Sequence, residues 1–169
     1  GGGGYGGSWT YWAYALPSVL PHILESLESE GLRELEQEDV SFQIVHLLSC
    51  LVFLSLTREK IPYVSEKIIL DFIKYFKDDR WLHPGRYDIA PNENKSHALF
   101  LLINRIGYSN LSEEAQKIVL GHILEHYPKS TEQYHPLLTE LWNKGLVSEE
   151  LIQKYSESIR LFNLELRKR

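Results

Sequence analysis

Apolar residues recur along most of the chain every three or four positions, which is the spacing of one face of a helix. The segment 63–77 shows this spacing best, because Val64, Ile68, Phe72 and Tyr75 fall on one stripe with further apolar residues beside it. No segment alternates convincingly between apolar and polar positions, as a half-buried strand would. The pattern therefore predicts an all-α protein.

Capping residues and helix breakers divide the pattern into separate helices. Asp39, Ser112 and Ser148 are placed to cap the helices that follow them. Gly107 is placed to end a helix, and His135 to cap a short helix that starts at the next residue, a proline. The predicted helices span residues 18–28, 40–56, 63–77, 96–106, 111–127, 136–144 and 149–166, with a long loop over 78–95.

Three of these helices open with an apolar residue, a serine and a glutamate, at Ser65, Ser112 and Ser148. Each follows another helix after a short connection, which requires an antiparallel hairpin. The serines are 47 and 36 residues apart, a period within the range of helical solenoids. The same pattern of an apolar residue, a serine and a glutamate is also a general capping signature. Two architectures therefore stay open: a short HEAT-like solenoid of stacked hairpins, or an irregular multi-helix bundle.

The chain has 169 residues, a length that suits one domain over residues 9–169. Its hydrophobic content of 43% is ordinary, and its net charge is −5. Cys50 is the single cysteine, so a disulfide framework is excluded and a reducing cytoplasm is expected. Cys50 lies in the most apolar predicted helix and is expected to be inert. That segment, 40–56, is short for a membrane span and contains recurring polar residues, so we expect no membrane contact.

Six of the first seven residues are glycine, so residues 1–8 are predicted to form a flexible tail, either native or a remnant of recombinant expression. The sequence has no methionine, which suggests a fragment or a processed product. The following aromatic residues are expected either to cap the first hairpin or to form an exposed patch for a partner. They are Trp9, Tyr11, Trp12 and Tyr14.

The loop 78–95 is the first candidate site, because long structureless loops in compact domains are usually functional or disordered. Trp81 and Tyr87 lie beside Arg80 and Arg86, and these residue types are enriched in protein-interface hot spots. The arginines could also hold an anionic ligand. The alternative is that the aromatic rings pin the loop to the helices. The candidate partner-binding residues are Arg80, Trp81, His83, Arg86, Tyr87 and Asp88.

The second candidate site is the string from His122 to His126, which matches His-x-x-Glu-His. In the inverted zinc-peptidase motif the two histidines bind zinc and the glutamate, here Glu125, activates water. His97 falls opposite residues near 120 in the predicted hairpin, so three imidazoles, His97, His122 and His126, could meet at one metal. Against this, only 43 residues follow His126, and a buried neutral histidine is commonly satisfied by one hydrogen bond.

The last predicted helix carries a short seam of apolar residues that suits packing on the preceding hairpins or a weak homodimer. The seam consists of Ile152, Tyr155, Ile159, Phe162 and Leu166. A nucleic-acid partner is not expected, because the basic cluster at 167–169 is short and the chain is acidic.

Two hypotheses on function follow. The first is a non-catalytic protein-binding module without a cofactor, either an adaptor or an inhibitor or immunity-type protein. It would use the helical hairpins and the loop 78–95 to contact a basic protein partner. The second is a zinc-dependent hydrolase centred on the three histidines and Glu125.

Overall fold

The computed structural model describes residues 38–58, 63–81 and 92–169. No strand occurs in these ranges, and the all-α prediction is confirmed. The predicted tail 1–8, the aromatic residues after it and the helix 18–28 lie outside the described residues. The helices are α1 (Glu38–Arg58), α2 (Glu66–Lys74), α3 (Asn92–Ile106), α4 (Glu113–His126), α5 (Thr131–Asn143), α6 (Glu149–Lys154) and α7 (Ser156–Lys168), with 3₁₀ turns at Tyr108–Asn110 and Tyr127–Lys129.

The local signals at several helix ends act as predicted. The Ser112 hydroxyl accepts a hydrogen bond from the Ala115 amide at 3.2 Å, and Ser148 caps α6 in the same way. Gly107 follows α3 with φ +89°, a conformation that only glycine adopts readily. Asp39 is different, because α1 already begins at Glu38. Asp39 therefore lies inside the first turn and is not the N-cap.

Besides α1, two helices begin four or five residues earlier than predicted, because buried contacts extend them. α3 starts at residue 92, four positions before the prediction, since Lys95 and Ser96 are both buried in its first turns. α5 starts at residue 131 and carries Pro136 in its interior. Burial of Tyr134 and His135 in the preceding turn offsets the hydrogen bond that an internal proline removes.

The predicted helix 149–166 is in fact two helices. The break is at Tyr155, whose φ of −114° and ψ of 43° are not helical. α7 then runs to the described C-terminus with Ile159 and Phe162 buried, so this part of the apolar seam packs within the chain.

The helices lie in two rows that contact each other. α1 packs on α3 and α3 on α5, while α2 packs on α4 and α4 on α7. Contacts of α2 with α3 and of α4 with α5 join the rows. The apolar stripes of the helices meet between the rows, and the largest fully buried side chains include Phe72, Trp81, Tyr127, Tyr134 and Phe162.

α1 is the longest helix, and it is largely apolar. Within the described ranges no helix combines the length and the apolar character needed to cross a bilayer. Cys50 lies in α1 with 2% of its surface exposed, and burial raises the pKa of its thiol to about 12. The thiol is therefore protonated at neutral pH, which agrees with the expectation that it is inert.

Candidate functional site

An open groove with a volume of about 310 Å³ lies between α2 and α4. We call it the α2/α4 groove. On one side it is formed by the end of α2 and the turn that follows, and on the other by one stripe of α4, where residues recur at helical spacing. Its lining residues are Ile73, Lys74, Phe76 and Lys77 on the first side, and Lys117, Ile118, Gly121, His122, Glu125 and His126 on the second.

Two polar contacts align α2 and α4 along each other. At the start of both helices, the Ser112 amide and hydroxyl donate to the Glu66 carboxylate at 2.6 and 2.8 Å. Past the end of α2, Lys77 Nζ donates to Glu125 Oε1 at 2.7 Å. The two helices therefore run in the same direction, and the groove follows their length.

The floor of the groove is made of three rings. The centroid of Phe76 lies 4.6 Å from that of His122 and 4.7 Å from that of His126. The two imidazole centroids are 4.4 Å apart, as expected for histidines one helical turn apart. His122 is 4% exposed, and its Nε2 lies 2.7 Å from the Tyr134 hydroxyl.

Both histidines are held neutral. Burial, followed by the proximity of His126 and the positive fields of Lys77 and Lys95, lowers the pKa of His122 to about 3. Burial also lowers the pKa of His126, although the neighbouring Glu125 opposes the shift. Lys77, in turn, holds the pKa of Glu125 below its ordinary value. At neutral pH the groove thus presents uncharged imidazoles and an ionised, paired glutamate.

A buried lysine supports the floor from behind. Lys95 Nζ donates to the Phe76 carbonyl at 2.7 Å and lies over the rings of Phe76 and Trp81, 4.8 and 5.2 Å from their centroids. Burial lowers the pKa of Lys95 to about 8, and the charge of Asp78 opposes the shift. These contacts fix the turn 75–81, and with it the position of Phe76.

Of the predicted loop 78–95, the structure describes residues 78–81 and, as the first turn of α3, residues 92–95. Trp81 is fully buried, and its indole N–H donates to the Tyr75 carbonyl at 2.6 Å. This packing agrees with the alternative in which the ring pins the loop to the helices, and a role of Trp81 in partner binding stays a prediction. The Arg80 guanidinium is held by Asp78 at 2.6 and 2.8 Å. The other four candidates, His83, Arg86, Tyr87 and Asp88, lie outside the described residues, and their role stays a prediction.

The structure brings together part of the predicted metal site. His122 and His126 are in contact, whereas His97 is half-buried on α3. In the part of the chain that the structure describes, no three His, Cys, Asp or Glu side chains converge as metal ligands. His122 Nε2 is engaged by a tyrosine and Glu125 by a lysine. His122 and His126 would supply two imidazole ligands to a zinc ion, and no third ligand lies beside them among the described residues. The zinc hypothesis therefore gains no geometric support.

Sequence reasoning missed the residues that complete the groove. Its rim carries Lys74, Lys77 and Lys117, and Ile118 lies between them with 40% of its surface exposed. The sequence does contain a signal for them. Lys74 and Lys77 flank Phe76, and Lys117 and Ile118 precede the histidine motif by one helical turn. Nothing local, however, places these two segments side by side.

The groups that line this groove are of the kinds that can bind another molecule. Its lining combines exposed apolar surface with ammonium groups, and its one carboxylate is ionised and paired. Comparison of the chain with family models, with curated proteins and with solved structures finds no match. The function is therefore inferred from the groove itself.

Proposed function

We propose that this chain is a non-catalytic protein-binding module, of the adaptor or the inhibitor and immunity type, and that the α2/α4 groove contacts its partner. The observation that carries the proposal is the meeting of exposed Ile118 with three lysines at one groove. An exposed apolar patch with a polar rim is the ordinary composition of a protein interface.

The packing of the helices supports the same proposal. Alternate helices contact each other in two rows, and α2 and α4 run in the same direction. This is what a short HEAT-like stack of hairpins requires, since equivalent helices of successive repeats lie parallel. In such a stack, the groove between equivalent helices is a surface suited to binding a partner.

The charge of the groove changes the expectation for the partner. The net charge of −5 favours a basic partner at long range. A contact, however, is governed by charges within a Debye length, about 10 Å at 0.1 M salt. At the groove three lysines face one glutamate, so the segment that binds there is expected to be acidic.

The experiment is affinity capture from a lysate of the source organism with three baits: the wild type, Ile118→Asp and the matched control Leu164→Asp. Ile118 and Leu164 are both 40% exposed, but only Ile118 lines the groove. Circular dichroism and thermal unfolding first establish that both variants are folded.

We expect a specific protein to be retained by the wild type and by Leu164→Asp and lost by Ile118→Asp. The purified pair should then show an affinity at least about 10-fold weaker for Ile118→Asp, the size of a hot-spot effect. Equal affinity of all three baits for each captured protein would refute the groove as the interface.

A further inference from the structure

The α2/α4 groove has an unbalanced positive charge in a chain that is acidic overall. The chain holds 23 acidic and 18 basic residues, yet lysines predominate at this rim. The Glu125 carboxylate is already bound by Lys77 at 2.7 Å. Among the side chains that the structure describes, no carboxylate forms an ion pair with Lys74 or Lys117, and the Lys74 ammonium lies 5.4 Å from the centroid of the Tyr75 ring. Both ammonium groups are exposed and can therefore bind carboxylates from another molecule.

The apolar part of the groove limits the size of what binds. Ile118 is 40% exposed and lies beside the floor made by Phe76, with half-buried Ile73 opposite. The volume of about 310 Å³ is at the lower end of the roughly 300–1,000 Å³ of ligand pockets. It accommodates one or two large apolar side chains.

The shape of the groove favours a helix as occupant. The lining residues of α4 run from 117 to 126, which spans roughly 14 Å or two and a half turns at 1.5 Å per residue. A helix seated between two parallel helices faces them with side chains at i, i+3, i+4 and i+7. The pairing of Glu66 with Ser112 and of Lys77 with Glu125 sets Lys117 about one turn before the level of Lys74, on the opposite rim.

We propose that the α2/α4 groove binds an acidic amphipathic helix of the partner protein, with an apolar side chain on Phe76 and Ile118 and carboxylates paired with Lys74 and Lys117. This inference rests on the proposed function and specifies the chemistry of the partner. Carboxylates one turn apart on the flanks of such a helix reach the two rims. The apolar anchor covers the one large aliphatic side chain that the groove exposes.

The test is selection from a random 16-residue peptide display library on immobilised wild-type protein, with Lys74→Glu/Lys117→Glu protein as the counter-selection. We expect the enriched peptides to be rich in Asp and Glu, with apolar residues at helical spacing. Their affinity, measured by fluorescence anisotropy, should fall at least about 10-fold for the double variant. The matched control Lys168→Glu removes an exposed lysine at the end of α7 and should change the affinity less than about 2-fold.

Several results would overturn this inference. They are enrichment of basic or uncharged peptides, absence of any enriched peptide, or equal affinity for the double variant and the control. Bound peptides without the circular dichroism of a helix would also reject the helical occupant. Self-association of the chain that Ile118→Asp abolishes would assign the groove to a second copy instead.

The two proposals fail in different ways. If a lysate protein is lost by Ile118→Asp while the library yields basic peptides, the groove is an interface and only its acidic specificity is wrong. If neither the lysate nor the library yields a binder that depends on Ile118, both proposals are wrong.

Discussion

Two buried histidine–tyrosine pairs occur among the described residues, and the first of them lies at the α2/α4 groove. His122 Nε2 is 2.7 Å from the Tyr134 hydroxyl, and His135 Nδ1 is 2.8 Å from the Tyr127 hydroxyl. Both histidines are 4% exposed, and both tyrosines are fully buried. In surface exposure and in the distance between histidine and tyrosine, the two pairs are nearly alike.

Their neighbours differ. The first pair, His122 and Tyr134, packs on the rings of Phe76 and His126, and lysines lie around them. We call these four rings the groove cluster. The second pair packs on Phe162, and these three rings form the inner cluster. Trp142 covers Phe162 from the other side. A buried histidine–tyrosine pair is thus part of the core in the inner cluster and part of the groove floor in the groove cluster. The residues packed around each pair make this difference.

The charges around the two histidines differ in the same way. Burial lowers the pKa of His122 most, and the charges of Lys77 and Lys95 that act on it lower it further. Those that act on His135 oppose each other, since Arg169 lowers its pKa and Glu165 raises it. The groove cluster therefore resists protonation more strongly than the inner cluster.

The largest expected effects come from removing the phenylalanine of each cluster. Phe76→Ala and Phe162→Ala should each lower the free energy of unfolding by about 3–5 kcal/mol, because each leaves a cavity against packed rings. Urea denaturation measures both. A loss below about 1 kcal/mol for Phe76→Ala would show that this ring is not tightly packed in the floor of the groove.

The next effect is a pH dependence that separates the two histidines. Unfolded histidine has a pKa near 6.5, whereas folded His122 has a pKa of about 3. Between these values the unfolded chain binds a proton that the folded chain does not, so the stability is complete above pH 6.5 and falls as the pH falls. Between pH 7 and pH 5 this contribution amounts to about 2 kcal/mol.

His122→Gln should therefore reduce the slope of unfolding free energy against pH in that window. His135→Gln is the matched control and should reduce the slope less. Equal slopes for the wild type and His122→Gln would contradict the neutral state of this imidazole.

A smaller effect distinguishes the tyrosines. The Tyr134 hydroxyl interacts with both His122 and Ser96, whereas Tyr127 is paired with His135. Removing the hydroxyl leaves buried partners unsatisfied. We expect a loss of about 1–2 kcal/mol for Tyr134→Phe and about 1 kcal/mol for Tyr127→Phe in thermal unfolding. The reverse order would contradict the assigned network.

The smallest effect tests the wall of the groove at Gly121, in the interior of α4. An added Cβ meets only the Tyr155 hydroxyl, at 3.8 Å, and alanine favours the helix by about 0.5–1 kcal/mol. Gly121→Ala should thus raise the stability by that amount in urea denaturation. The matched Gly145→Ala should lower it by about 1 kcal/mol, since Gly145 has φ +71°. Destabilisation by Gly121→Ala would show that α4 is more closely packed here than the structure indicates.

The histidine motif shows how far the sequence leads towards a site. Helical spacing correctly places His122 and His126 on one face of α4, and His122 against the core. It does not place Phe76 against both imidazoles or Lys77 against Glu125, because these contacts join residues 46 to 50 positions apart in the chain. The same pattern also suggested His97 as a third ligand. The structure instead places the Tyr134 hydroxyl against His122. Tyr134 lies in the part of α5 that precedes Pro136, where the sequence predicted no helix.

The helices themselves, and ends such as Ser112, Ser148 and Gly107, were determined by the sequence alone. Caps and apolar spacing act within one or two turns of the chain. The early starts of α3 and α5, the break at Tyr155 and the groove were decided only by the tertiary structure. The early starts and the groove depend on burial against residues distant in sequence, and that burial outweighs the fraction of a kcal/mol by which local propensities differ.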